Sequence, residues 1–153
     1  MESTQTSCIF CDVIEGKLPK SMVYEDDVVI AIMDTQPVNQ GHVLVMPKRH
    51  AAFMADMDER TGEHLFRVTM RVAQALYTSG LRCEGINLFL ADGEAAFQEI
   101  LHAHMHVFPR FKGDSYKIEA DWSHQPSREE LDALAERIRA AYPPSGVETE
   151  PLS

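Results

Sequence analysis

The sequence predicts an α+β fold built on a mostly antiparallel sheet. Three observations lead there. Short β-rich runs follow one another through turn signals over residues 22–47 and 85–108. One long helical period, 58–79, is inserted between them. A second helix, opening on a capping signature at Ser127, closes the chain.

Residues 1–7 read as a loose polar leader. Residues 22–34, "MVYEDDVVIAIMD", make two β-rich runs around Asp26-Asp27 and predict a hairpin; "TQPVNQG" is a loop. "HVLVMP", 42–47, is a short strand ended by Pro47. In 58–79, Leu65, Thr69, Val72 and Leu76 recur at helical spacing, and Phe66, Ala73 and Tyr77 widen the stripe. Arg60, Arg67, Arg71 and Gln74 then face water. Asp58 is placed to cap the start and Gly80 to stop the end. "GINLFLADG", 85–93, is a strand leading to a turn at Asp92-Gly93. A strand through 100–108 follows, with Gln98 just ahead of it. Ser127 and Glu130 have capping-box spacing, Leu131, Leu134, Ala135 and Ile138 form an apolar face, and Pro143-Pro144 end the helix. The expected organisation is a flexible leader at 1–7, one domain at 8–142 and a disordered tail at 143–153.

Composition narrows the function. A chain of 153 residues suits one domain. No apolar run approaches the roughly 20 residues that span a bilayer, and the polar start with Glu2 does not resemble a signal peptide, so a cytoplasmic protein without membrane partners is expected. A net charge of −10 argues against binding a nucleic-acid polymer, which needs clustered Lys and Arg. It leaves open a small phosphorylated ligand at a local amide-rich or positive site. Of three cysteines, Cys8 and Cys11 form a C-x-x-C pair. In a reducing compartment that pair is a metal half-site or a redox motif.

"LHAHMHVFPR", 101–110, places histidines at alternate positions. Strand side chains alternate faces and each two-residue step advances about 6.6 Å. His102, His104, His106 and Phe108 would share one face, and Leu101, Ala103, Met105 and Val107 the other. A row of surface histidines explains such register poorly. A three-histidine metal hydrolase and nucleophilic catalysis by a neutral imidazole both fit it. Spacing alone does not separate them.

Other segments add a resemblance. "HAHMHVF" fits the H-x-H-x-H signature of the histidine triad (HIT) family, "DTQPVNQGHVLVMPKRH" (34–50) resembles the family's other strong segment, and "CIFCDVIEGKLPKSMVYEDD" (8–27) looks like the start of many prokaryotic members. The likeness covers roughly residues 8–112 in one order. It implies a five-stranded antiparallel sheet with one long helix and a C-terminal helix, two protomers joining into a ten-stranded sheet as a homodimer. It implies a hydrolase or nucleotidyltransferase cleaving at the α-phosphate of a purine nucleotide, either a dinucleoside polyphosphate or a nucleoside phosphoramidate, through a nucleotidyl-histidine. A non-catalytic nucleoside monophosphate-binding module is the alternative. Carried over by position, His104 is the nucleophile. Gln98, His106 and the position of Glu99 belong to the phosphate-binding set. Asp34 binds the ribose hydroxyls with Thr35 beside it, and Ile9 and Phe10, with Ile32 and Leu44, wall the nucleoside pocket. Cys8, Cys11, His50 and His102 would hold a structural Zn2+. The sequence departs from the family pattern in three places. Phe97 stands where Gly is usual, Glu99 where Ser or Thr is frequent, and Ala91 where many phosphoramidases have Asn.

Overall fold

The structure is a computed structural model and describes residues 7–144. The leader expected at 1–7 and the tail at 143–153 lie, apart from Ser7 and Pro143-Pro144, outside the described residues. The chain divides into two compact units, one up to Ser115 and one from Tyr116 onward. No described helix is long and apolar enough to cross a membrane.

The first unit is an antiparallel five-stranded sheet with spatial order β1-β2-β3-β5-β4. Its strands are β1 (Met22–Glu25), β2 (Val29–Met33), β3 (Val43–Pro47), β4 (Gly85–Phe89) and β5 (Met105–Arg110). The β1–β2 turn is built by Asp26, whose Oδ1 accepts the N–H groups of Val28 and Val29, each at 2.8 Å. Its other oxygen accepts from Tyr24 and pairs with His64 of the long helix α2 (Glu59–Thr78), so His64 fastens the hairpin. These partners hold the Asp26 carboxyl well below the usual range, against the opposing effect of its burial.

Two helices cover the two faces of the sheet, which is why β2 and β3 are buried on both sides. Leu65, Val68, Val72 and Leu76 of α2 pack on Val29, Ala31, Val43, Val45 and Val107. Thr69 joins them by giving its hydroxyl to the Leu65 carbonyl at 2.8 Å. Val68 completes this stripe. Phe66 and Tyr77 point outward instead of widening it, because each sits about 100° from its buried neighbour. Asp58 caps the helix by accepting the Thr61 N–H at 2.9 Å.

The opposite face is covered by α1 (Ile9–Ile14), an element too short to show periodicity in the sequence. Phe10 and Val13, three apart, insert among Ile30, Ile32, Leu44 and Met46. Burying side chains of this size stabilises by about 1.5–3 kcal/mol each. The Cys8 sulfur caps α1 by accepting the Cys11 N–H at 3.3 Å.

The last strand differs from expectation. It begins at Met105, not at 100, and runs to Arg110. Residues 100–104 are drawn off the ladder by local bonds: His102 N–H to the Ile100 carbonyl at 2.9 Å and Ala103 N–H to the Ala51 carbonyl at 2.7 Å. Leu101 is consequently exposed and does not share an apolar face with Ala103 and Val107. Within β5, His106 pairs with Leu44 and Phe89, so it lies on the α1 side, while Met105 and Val107 face α2.

The second unit holds α3 (Arg128–Ala141), opened by the Ser127–Glu130 capping box; Leu131, Leu134 and Ile138 along it are exposed.

Gly41, which delivers the chain into His42 and β3, has φ +102, and a Cβ there would lie 3.0 Å from Leu81 and 3.1 Å from Leu76. Gly41→Ala is expected to destabilise the fold by about 1–3 kcal/mol through backbone strain and overpacking, read as a lower urea midpoint at unchanged slope.

Candidate active site and metal centre

The three histidines of 102–106 have different partners, and those partners assign their protons. His104 is buried, with its Nδ1 2.7 Å from the carbonyl of His102. A carbonyl only accepts, so Nδ1 carries the hydrogen and Nε2 keeps its lone pair. The Phe10 ring meets His104 edge-on at 5.0 Å, and the His106 ring lies 4.8 Å away.

His106 is set by a relay. The Val38 N–H donates to His42 Nδ1 at 3.0 Å. His42 therefore carries its hydrogen on Nε2 and donates it to His106 Nδ1 at 2.9 Å. His106 is left with Nε2–H as a donor. Asp34 backs this pair: its Oδ2 is 3.4 Å from His42 Nε2 and 3.8 Å from His106 Nδ1. Burial, with His104 and His42 nearby, pushes the His106 pKa down to about 4, outweighing Asp34, so the ring is neutral at physiological pH. Burial also lowers His42. The site thus sets an imidazole lone pair beside an imidazole N–H donor, the pairing needed to attack an electrophile while binding its oxygen.

The loop ahead of the triad is anchored through Gln98. Its Oε1 accepts the Gly93 N–H at 2.7 Å, and its Nε2 donates to the carbonyls of Ala52 at 2.7 Å and Ile100 at 3.1 Å. Both amide hydrogens, expected to reach phosphate, are committed to backbone, so in this structure Gln98 fastens the loop. Phe97 is the one non-glycine with positive φ among the described residues, at φ 67 and ψ 29. Glu99 is exposed and Ala91 buried. Asp34 Oδ1 accepts the Gln36 N–H at 2.8 Å, closing the turn, while Oδ2 faces the histidines. Thr35 and Ile9 are exposed; Phe10, Ile32 and Leu44 are core residues, and the Phe10 ring also meets the rings of His102 and His104. Sequence reading missed Phe89, cross-strand from His106 with ring centroids 5.7 Å apart. The pairing of 85–89 with 105–110 was its only available signal.

Beside this site the fold gathers Cys8, Cys11, His50 and His102, one ligand atom from each lying within 4.8 Å of the others. His102 is fully buried and its Nε2 donates to the Pro47 carbonyl at 2.8 Å, which leaves Nδ1 free of hydrogen and aimed at Cys8 Sγ (3.4 Å) and Cys11 Sγ (3.7 Å). His50 Nδ1 is 3.4 Å from Cys11 Sγ. Zinc bond lengths of about 2.3 Å to sulfur and 2.0–2.1 Å to nitrogen give a tetrahedral S···N edge of about 3.5 Å, so the donor set fits that ion. Burial and the adjacent Cys8 push the Cys11 thiol up to about 11, opposite to the low value a redox C-x-x-C needs. Asp34, His42 and His106 also cluster. Their 2.9 Å N···N separation is a hydrogen bond, shorter than the edge of about 3.3 Å that two imidazoles on one tetrahedral ion would show.

Fold and site together define a class: an α+β protein that sets an imidazole nucleophile candidate in a histidine row leading into a strand, next to a four-ligand Cys/His cluster. The chain belongs to the HIT family. The HIT domain matches residues 15–113. The chain is 42% identical over 110 residues to an uncharacterized HIT-like protein of Borreliella burgdorferi, covering 71% of this chain and 79% of that one. It is 32% identical over 133 residues to the adenosine 5′-monophosphoramidase of Schizosaccharomyces pombe, covering 86% and 96%. Among solved structures it is similar to a Zn-bound histidine triad family protein from Mycobacterium smegmatis, with TM-score 0.70 and 37% identity over 89% of this chain and 98% of that one.

The depressed His106 pKa has a consequence for stability. Between about pH 6.5 and 4 the unfolded chain binds a proton that folded His106 refuses. Stability present above pH 6.5 is therefore lost as pH falls towards 4, by on the order of 3 kcal/mol from this group. Urea unfolding across that range should show the loss, and His106→Gln should flatten it.

Proposed function

We propose that the chain is a nucleotide hydrolase or nucleotidyltransferase that cleaves at the α-phosphate of a purine nucleotide, carried by dinucleoside polyphosphates or nucleoside phosphoramidates. One observation carries this reading: the bond from His104 Nδ1 to the His102 carbonyl, which leaves Nε2 unprotonated beside the His106 N–H. His104 Nε2 attacks the α-phosphorus, and the bond to the leaving group breaks with its electron pair. Water then attacks phosphorus and restores neutral His104; its hydroxyl ends on phosphorus and its proton on the leaving group. His106 Nε2–H binds the phosphoryl oxygen that gains charge, a contribution of about 3–4 kcal/mol for such a donor. Gln98 holds the loop in place. Asp34 Oδ2 receives the ribose hydroxyls, and Phe10 borders the nucleoside. The phosphoramidase name of the Schizosaccharomyces pombe relative supports this class of reaction.

The second part of the proposal is a structural zinc on Cys8, Cys11, His50 and His102, supported by the fitting donor set and by the Zn-bound relative. Zinc would cross-link the start of the chain to the residue whose carbonyl orients His104; it takes no part in the reaction. Reduced cysteines suit a cytoplasmic setting. The homodimer is the third part. β4 is an edge strand with Leu88 exposed, and α2 presents Phe66, Met70 and Tyr77 outward at spacings of four and seven, a pattern suited to a second copy.

Hydrolysis of adenosine phosphoramidates and dinucleoside polyphosphates, followed by phosphate-specific chromatography, tests the chemistry. His104→Ala should lower turnover by about 10³-fold or more. Retained turnover sinks the proposal, and nucleotide binding without turnover in the wild type supports a non-catalytic module instead. Metal analysis of the purified chain should find stoichiometric zinc, lost in Cys11→Ser together with several degrees of melting temperature. Metal content unchanged in that variant removes the four-ligand assignment.

A further inference from the structure

Two side chains of the anchored loop have no use in the chemistry above. Phe97 and Glu99 flank Gln98, which is buried and bonded through all its amide atoms, so both are held at a fixed point and both are exposed. Phe97 is 82% exposed and sits in the left-handed region, where a glycine would be unstrained. Its ring gains almost no burial in return for that conformation. Neither packing nor backbone preference accounts for it, which is the situation in which a strained residue points to a role in binding.

The loop also lies at the triad. One residue beyond Glu99, Ile100 packs on the cluster that contains Phe10, and Phe10 touches His104. At the loop's other end Phe89 lies against His106 and is partly exposed. Residues 89–100 therefore run from a ring against His106 to a side chain packed on the cluster whose Phe10 meets His104, with a second aromatic ring at position 97. The same stretch contains Asp92, Glu94 and Glu99 and no Lys or Arg.

From these observations, and resting on the reaction proposed above, we infer that Phe97 and Glu99 select the leaving group: an amine with an aromatic or apolar arm, in preference to a phosphate chain or an acidic amine. A departing polyphosphate would carry its growing negative charge past a loop that holds Glu99 exposed and contains no Lys or Arg. A departing amine carries no negative charge once protonated. In this case the P–N bond to the amine breaks as the bond to His104 Nε2 forms, and a solvent proton joins the nitrogen as the pair leaves on it; water then attacks phosphorus, leaving its hydroxyl there and returning a proton to solvent, and the freed amine takes a second solvent proton to become the ammonium. Phe97 offers its ring face to the arm of the amine, and Glu99 favours the cation that forms.

The test compares kcat/KM for adenosine 5′-phosphoramidates of phenethylamine, ammonia and aspartate, and for diadenosine triphosphate, in the wild type, Phe97→Gly and Glu99→Ser. The wild type should prefer the phenethylamine adduct over the other three. Phe97→Gly should cut the phenethylamine-to-ammonia ratio by about 10-fold, within the range expected for losing one apolar contact. Glu99→Ser should raise the aspartate adduct and diadenosine triphosphate relative to the ammonia adduct by several-fold. Thermal melting of Phe97→Gly should be no lower than wild type, because glycine relieves the positive φ. Substrate ratios that are the same in all three proteins overturn this inference and leave the role of His104 standing. A wild type that turns over none of the four overturns both.

Discussion

The site depends on one residue serving three partners. His102 gives its backbone carbonyl to His104, its Nε2–H to the Pro47 carbonyl, and its bare Nδ1 to the two cysteine sulfurs. Complete burial leaves it no solvent with which to exchange any of these bonds, so losing one would strand a polar atom. The tautomer of His104, the closing residue of β3 and the metal-suited cluster are consequently set together. A second relay does the same for His106: the Val38 amide fixes His42, and His42 fixes His106. Both relays begin at backbone groups, the Pro47 carbonyl that ends β3 and the Val38 amide of the β2–β3 loop, so proton positions in the site follow from where the fold places those segments.

That register is held by packing on both faces. Val107 and Met105 face α2, and the intervening His106 faces the α1 side with Leu44. A shift of one residue would exchange the histidine with valine and bury imidazole under α2. At the end of β5, Arg110 grips Asp114 through two bonds of 2.7 and 2.8 Å, and Asn39 donates to both Asp114 and the Pro109 carbonyl. These ties join β5 to the loop that carries Asp34 and delivers His42. Asp114, flanking the histidine strand in sequence, thus works as a strut and stands apart from the metal-suited cluster.

Features with strong local rules were legible in the sequence. The α2 stripe, its Asp58 cap, the hairpin around Asp26 and the Ser127 capping box all follow from short-range pattern. What was not legible depends on partners far along the chain. The six-residue α1 exists because Phe10 and Val13 find a vacant sheet face, and no periodicity that short announces itself. The late start of β5 is a competition that the Ala51 carbonyl and the Ile100 turn win over the ladder. The pairing of His64 with Asp26, 38 positions away, has no local signal either. Within the site, the alternate histidines marked the right place, but the partner of each nitrogen, and so the division of labour among the rings, needed the fold.

That division separates the two chemistries that spacing left open. A metal hydrolase using all three histidines needs three lone pairs converging on one point. Here they do not converge. The lone pair of His102 is aimed at thiols, that of His106 is taken by His42, and that of His104, on Nε2, meets no donor among the described residues. The four-ligand cluster accordingly includes His102 and excludes its two neighbours. A row that looks like one motif in the sequence is, in the folded chain, three rings with different partners: His102 turned to the thiols, His104 with an unprotonated Nε2, and His106 with an Nε2–H. Of the three, His106 lies within β5, whose other face is ordinary core, while local bonds of residues 100–104 place the other two.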